Sequence, residues 1–245
     1  MRIEAQSGTV LFMKGLPLIL LHGYPFDGSM WKQMRKQLVW KGPIICPNLW
    51  PTGAAEPSLD VTAGDVAPLV PGPAVIAGFS MGGYVALALA ERHPHLVAGL
   101  ALINSQSAAD SEEVRQGRRT MIDKVKKEGI QPAIDAALPK LFAKQDPELT
   151  RYPLKGAERA GPGGIAWALE AMARRPDRTA VLQHLQKPIL IVHSVEDKFI
   201  PVTRARDLAN SLGAKYVEIE AAGHCTPLEA PEKVAAALSN FADAL

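Results

Sequence analysis

This 245-residue chain is poor in cysteine, in excess charge and in long apolar runs. Its two cysteines, Cys46 and Cys225, form no C-x-x-C pair, which excludes a disulfide framework and a cysteine-based structural zinc site. Two free thiols fit a reducing compartment, and a cytoplasmic location is expected. The 27 Lys and Arg nearly balance 25 Asp and Glu, for a formal charge of +2. So neutral a chain gives no basis for nucleic acid or an anionic membrane as the main partner. The longest early apolar run, 16–21, contains Pro17 and is about a third of the length that crosses a bilayer. It follows a polar stretch instead of a basic one, so neither a signal peptide nor a membrane span is expected. No H-E-x-x-H is present, no Gly-Lys-Ser/Thr closes a phosphate loop, and no repeat or low-complexity tract occurs. No metal and no other cofactor is implied.

What the chain does have is a hydrophobic fraction of 47% with 21% charged residues, the balance of a packed globular protein. Short runs rich in Val, Ile and Leu recur at 17–22, 43–49, 74–80, 99–105, 188–194 and 215–220, each closed by Gly, Pro, Asn or Ser. Their hydrophobicity is continuous and not alternating, which predicts strands covered on both faces, as in a parallel sheet flanked by helices. Helical patterns at 82–92 and 202–212 follow the third and fifth runs. Near the C-terminus Val234, Leu238, Phe241 and Leu245 share one helical stripe. The fold class is therefore α/β, with strand and helix in alternation. Residues 2–13, broken at Gln6-Ser7-Gly8, predict a small edge hairpin. Between 105 and 187 the alternation lapses, and helical patterns at 111–128, 131–143 and 164–173 are punctuated by prolines. So long a stretch is not a structureless loop. The expected organisation is a core of 1–105 and 187–245 with a helical cap, 106–186, inserted between core strands.

The strongest chemical signal is Gly78-Phe79-Ser80-Met81-Gly82-Gly83, a G-x-S-x-G pattern between a strand and a small-residue helix. Glycines on either side of Ser80 remove the side chains that would collide in so sharp a turn. Ser80 is thereby presented at a helix N-terminus, where the dipole favours developing negative charge. A serine hydroxyl is a poor nucleophile near neutral pH and needs a base, which in turn needs an orienting acid. The strand at 188–194 runs into Glu196-Asp197, and the strand at 215–220 into Gly223-His224. Asp197 is the expected acid and His224 the expected base. Glu196, one step along the same loop, is the alternative acid, and Asp110 a reserve.

Four motifs in this order carry a resemblance: His22-Gly23-Tyr24-Pro25, Gly78 to Gly83, Glu196-Asp197 with Pro201, and Gly223-His224 with Pro227, Glu229 and Pro231. By them the chain resembles the α/β-hydrolase superfamily over essentially its whole length, and within it small bacterial carboxylesterases, perhydrolases and enol-lactonases. The segment Met172 to Thr179 is reminiscent of the lactonase-like branch. The resemblance implies a serine hydrolase acting on a small-molecule ester or lactone, with the backbone N–H groups of Tyr24 and Met81 as an oxyanion hole. One motif departs: where the family commonly carries Asp-Leu/Met-Arg-Gly-His-Gly, this chain has Asn48-Leu49-Trp50-Pro51-Thr52-Gly53, so a close relative's substrate preference does not transfer.

The remaining candidates have plainer readings. His22 is expected to brace the oxyanion loop, His93 and His95 to be solvated, His184 to have no partner, and His193 to be a buried strand-end residue. Cys225 is expected to pack. Trp167, Leu169 and Met172 are candidates to roof an apolar pocket. Rival functions are a lactonase or C–C bond hydrolase using the same three residues, and a ligand receptor of the same fold with incidental turnover. A serine at position 80 excludes the haloalkane dehalogenase and epoxide hydrolase readings, which need a carboxylate there, while perhydrolysis stays open as a side reaction. Acyl and alcohol specificity and oligomeric state are not readable from the sequence.

Overall fold

The computed structural model describes residues 15–51, 56–243 and 245. The hairpin expected at 2–13 lies outside them, as do Thr52 and Gly53 of the departing motif. The described strands are β1 (Leu18–Leu21), β2 (Ile44–Ile45), β3 (Ala74–Phe79), β4 (Val97–Ile103), β5 (Ile189–Ser194) and β6 (Lys215–Ile219). They form one sheet in the order β2-β1-β3-β4-β5-β6, with every pairing parallel. The helices are α1 (Lys32–Gln37), α2 (Leu59–Val66), α3 (Met81–Arg92), α4 (Glu112–Glu128), α5 (Gln131–Leu141), α6 (Pro147–Arg174), α7 (Thr179–His184), α8 (Val202–Leu212), α9 (Thr226–Glu229) and α10 (Pro231–Ala242).

The continuous apolar runs have a simple cause. Successive side chains of a strand point to opposite faces, so a sheet covered on both sides needs apolar residues at every position. Ile19, Leu21, Ile76, Leu100 and Leu102 join the core beneath α2 and α3, whereas Leu18, Leu20, Val75, Ala77, Ala101 and Ile103 join the core beneath α1 and α10. In β5, Ile191 meets Ala205 and Ala209 of α8, while Leu190 and Val192 face the other way. The two outermost strands are less enclosed: Ile44 and Ile45 are half-buried, and Lys215 and Glu218 of β6 are exposed. On α10, Val234, Leu238 and Phe241 are buried as the stripe predicts. Leu245 departs from it, since the helix ends at Ala242 and Leu245 is an exposed apolar residue beyond it.

Helices α4 to α7 fill the chain between β4 and β5. The pattern at 164–173 was the visible part of a much longer element, α6, which breaks at Gly161 with φ +64°. Pro162 supplies the reason: it has no N–H to continue the ladder, so the helix stops and restarts.

Because all the strands are parallel, the segments leaving β1, β3, β4, β5 and β6 emerge at one edge of the sheet. Backbone bonds tie these exits together: Ser80 N–H donates to the Ile103 carbonyl at 3.0 Å, Asn104 N–H to Val192 at 2.9 Å, and Val195 N–H to Ile219 at 3.0 Å. Among the described residues, no helix is long and apolar enough to cross a membrane. Leu238→Ala, which empties a fully buried position under the sheet, is expected to lower the free energy of unfolding by about 2–5 kcal/mol, measured by urea denaturation.

Candidate active site

Ser80 sits between β3 and α3 with φ +50° and ψ −115°, a conformation few residues other than glycine adopt. Its surroundings enforce it. A Cβ at position 78 would stand 2.2 Å from the Gly82 carbonyl oxygen, and one at position 82 would stand 2.2 Å from that of Leu21. The turn is so closely nested against β1 that only hydrogen fits at both places. The Ser80 carbonyl accepts from Gly83 N–H at 2.9 Å and from the Ser105 hydroxyl at 2.8 Å.

The structure brings Ser80, His224 and Asp197 into one chain of hydrogen bonds. Ser80 Oγ is 2.9 Å from His224 Nε2, and His224 Nδ1 is 2.8 Å from Asp197 Oδ2. Asp197 Oδ1 accepts from the backbone N–H groups of Phe199 at 2.8 Å and Ile200 at 3.0 Å. Burial alone would raise this carboxyl, but the adjacent His224 charge and the bonds from His224, Asn104 and Ile200 hold it down to about 2. Phe79 and Phe199 lie against the His224 ring, with centroids 5.1 and 4.9 Å away. Among the described residues, the N–H groups of Tyr24 and Met81 donate to no protein acceptor.

Glu196 does not reach His224: it is exposed, while the Asp197 side chain is fully enclosed. Asp110 is also elsewhere, paired with Arg118 and Arg175 at 2.7 Å each. His22 is buried; its Nε2 accepts from Leu49 N–H at 2.8 Å, its Nδ1 lies 2.9 Å from the Gly23 carbonyl, and its ring packs against Trp50. The departing loop is thus held to the His-Gly turn through His22. Burial pulls this imidazole down to about 4. His193, also buried, bonds the Ile200 carbonyl at 2.9 Å and lies 3.4 Å from Asp197. His184 has a partner after all, the Ala180 carbonyl at 2.7 Å, and His95 is exposed with His93 half-buried. Cys225 is fully buried, and burial raises its thiol well above the ordinary value, which suits packing.

Sequence reading missed the layer beneath the acid. Asn104 Nδ2 donates to Asp197 Oδ2 at 2.9 Å and to Ser194 Oγ at 2.8 Å, and Asn104 Oδ1 accepts from Thr226 at 2.6 Å. Ser194 in turn donates to the Gly223 carbonyl, and Glu229 accepts from Gly223 N–H at 3.0 Å and Ala143 N–H at 2.7 Å. The available signal was the run of polar residues immediately after an apolar strand, Asn104-Ser105.

Ser80 and His224 open into a cavity of about 1080 Å³ whose walls include Tyr24, Leu141, Leu169, Met172 and Arg118. Leu169 and Met172 are therefore where expected. Trp167 is not: it lines a separate hollow with Lys126, Pro162 and Glu170, because it stands on another face of α6. Among the described residues, no group of three or more His, Cys, Asp or Glu is placed to hold a metal ion.

The alpha/beta hydrolase family profile matches residues 18–237, and the chain belongs to that family. A pimeloyl-[acyl-carrier protein] methyl ester esterase of Aromatoleum aromaticum is 28% identical over 239 residues, covering 89% of this chain and 94% of the relative. Among solved structures, a thermophilic esterase from Thermogutta terrifontis, with malate bound, superposes with a TM-score of 0.86 at 32% identity, covering 93% of this chain and 89% of that one. The enol-lactonase of Burkholderia xenovorans superposes with a TM-score of 0.77 at 25% identity, covering 93% and 91%.

Buried His22 gives the site a pH-dependent stability. A base whose pKa falls from 6.5 unfolded to about 4 folded resists protonation, so the unfolded chain binds more protons between these values. Its contribution is whole above pH 6.5 and is lost as the pH falls towards 4, about 3 kcal/mol in all. His193, lowered by burial, acts in the same direction. Denaturant unfolding at pH 7, 5.5 and 4 is expected to show this loss, with a shallower slope in His22→Asn.

Proposed function

We propose that this protein hydrolyses carboxylic esters through a covalent acyl-enzyme on Ser80, without a metal or organic cofactor. The observation that carries the reading is the Ser80–His224–Asp197 hydrogen-bond chain, 2.9 and 2.8 Å, at the wall of a substrate-sized cavity. Ser80 Oγ passes its proton to His224 Nε2 as it attacks the ester carbonyl. The carbonyl oxygen becomes an oxyanion facing the Tyr24 and Met81 N–H groups, fixed donors that need no rearrangement. Collapse breaks the bond to the alcohol oxygen, which leaves with the proton held by His224. A water molecule then attacks the acyl carbonyl, giving its proton to His224, and collapse breaks the bond to Ser80 Oγ, which takes that proton back as the acid is released. Asp197 keeps the imidazole in the productive tautomer and stabilises its transient charge.

The domain organisation belongs to the same reading: 1–105 and 187–245 as catalytic core, with 106–186 as a cap whose Leu169 and Met172 roof the acyl site. The substrate is a small molecule met in the cytoplasm. Likeness to the Burkholderia enol-lactonase supports lactones as a second class, opened by the same steps.

A panel of methyl and p-nitrophenyl esters of increasing acyl length, assayed beside several lactones, tests the reading. Ester turnover lost in a folded Ser80→Ala variant is the expected result, and unchanged kinetics there would remove Ser80 from the mechanism. Lactone turnover exceeding that of every ester would shift the substrate class. Asp197→Asn is expected to lower kcat at least about a hundredfold, because the amide donates and favours the wrong tautomer, and Glu196→Gln less than about tenfold. The reverse ranking would move the acid to Glu196.

A further inference from the structure

Arg118 on α4 reaches the cavity that holds Ser80 and His224. Its Nε donates to Asp110 Oδ2 at 2.7 Å, which fixes the plane of the guanidinium. The other oxygen of Asp110 is taken by Arg175 Nη1, also at 2.7 Å. Arg175 is enclosed: it lies 4.0 Å from the Tyr84 ring centroid and donates to the carbonyls of Ala108 at 2.9 Å and Met172 at 3.2 Å. Two cations thus share one enclosed carboxylate, with Asp177, an exposed residue, also within electrostatic reach of Arg175. Burial opposes the Asp110 charge, yet the two guanidinium groups hold its carboxyl below the usual range, so the anion is present.

Of the two guanidinium groups, Arg118 is the one that lines the cavity with an edge left free. Its Nη1 and Nη2 groups donate to no acceptor among the described residues, and the side chain is only 19% exposed. The other cations of the cavity wall differ: Lys140, Lys198 and Arg204 are exposed, and Arg204 is already bonded to Gln106. A latch holding α4 to the loop after β4 would account for the Nε bond. It leaves unexplained a second arginine on the same carboxylate. A guanidinium edge with two parallel donors, oriented in advance on a largely enclosed side chain, matches the two oxygens of a carboxylate.

We propose that Arg118 anchors a carboxylate subsite in this cavity, so that preferred substrates are esters bearing a second, free carboxylate. This rests on the ester-hydrolase reading above for the reaction, though not for the binding. The test compares kcat/KM for the monomethyl esters of succinate, glutarate and adipate with that for their dimethyl esters, which lack the charge. Butyryloxyacetate against its methyl ester places the carboxylate on the alcohol side. In one of the two arms the charged member is expected to be favoured at least about tenfold, and Arg118→Gln to reduce that ratio roughly tenfold to a hundredfold, with Arg118→Lys in between. A latch would lower both members equally and leave the ratio intact, and that result, or no preference in either arm, overturns the proposal. If no ester is turned over, the esterase reading falls by itself. Calorimetric titration with glutarate and adipate still decides the subsite: binding to the unaltered protein that is lost in a folded Arg118→Gln variant upholds it, and equal or absent binding refutes it.

Discussion

Everything in the site depends on the absence of space around one turn. The chain leaves β3, places Ser80 at φ +50° and enters α3 while the Gly82 backbone touches the end of β1. Such a conformation costs on the order of 1–3 kcal/mol and persists only where the surroundings over-determine it. Here they do. Ser80 N–H is held by Ile103, its carbonyl by Gly83 and Ser105, and the positions on either side exclude a Cβ. The turn is thereby built into the junction of three strands and a helix, and the Ser80 hydroxyl is held in the cavity wall by the fold's core.

A second constraint is the polar layer under the acid. Asp197 is enclosed, and an enclosed carboxylate without partners would protonate. Its oxygens instead receive two backbone N–H groups, the His224 ring and the Asn104 amide, and Asn104 is itself satisfied by Thr226 and Ser194. These residues come from three different strand exits, those of β4, β5 and β6. The parallel sheet is what lets them meet, since every exit lies on one edge. Low local polarity then strengthens each bond in the network and makes the geometry stiff.

The cavity above this layer combines two kinds of wall. Leu141, Leu169 and Met172 come from α5 and α6 and present apolar surface, whereas α4 brings a charged side chain anchored to the loop after β4. Helix α4 packs along α6, so the contact between these two helices sets where Arg118 stands relative to Leu169 and Met172.

The parts legible in the sequence were those written in short-range terms. A strand covered on both faces must be apolar at every position, so β1, β3, β4 and β5 announced themselves, and a turn that tolerates no Cβ announced Ser80 through its glycines. Polar residues directly after such strands marked Asp197 and His224, because a strand end in a parallel sheet has a known place. Asn104 carried only the mark of a polar residue after an apolar strand, with no sign of its partners, and nothing local marked Asp110 as the partner of two arginines 8 and 65 residues away or showed that Trp167 faces away from the cavity that Leu169 and Met172 line. Those facts depend on which face each helix turns inward and on where α6 breaks. Periodicity and turn chemistry act over a few residues and so belong to the sequence. The orientation of α4, α5 and α6 over the sheet is settled only by side chains from distant segments packing together, and tertiary structure alone decides it.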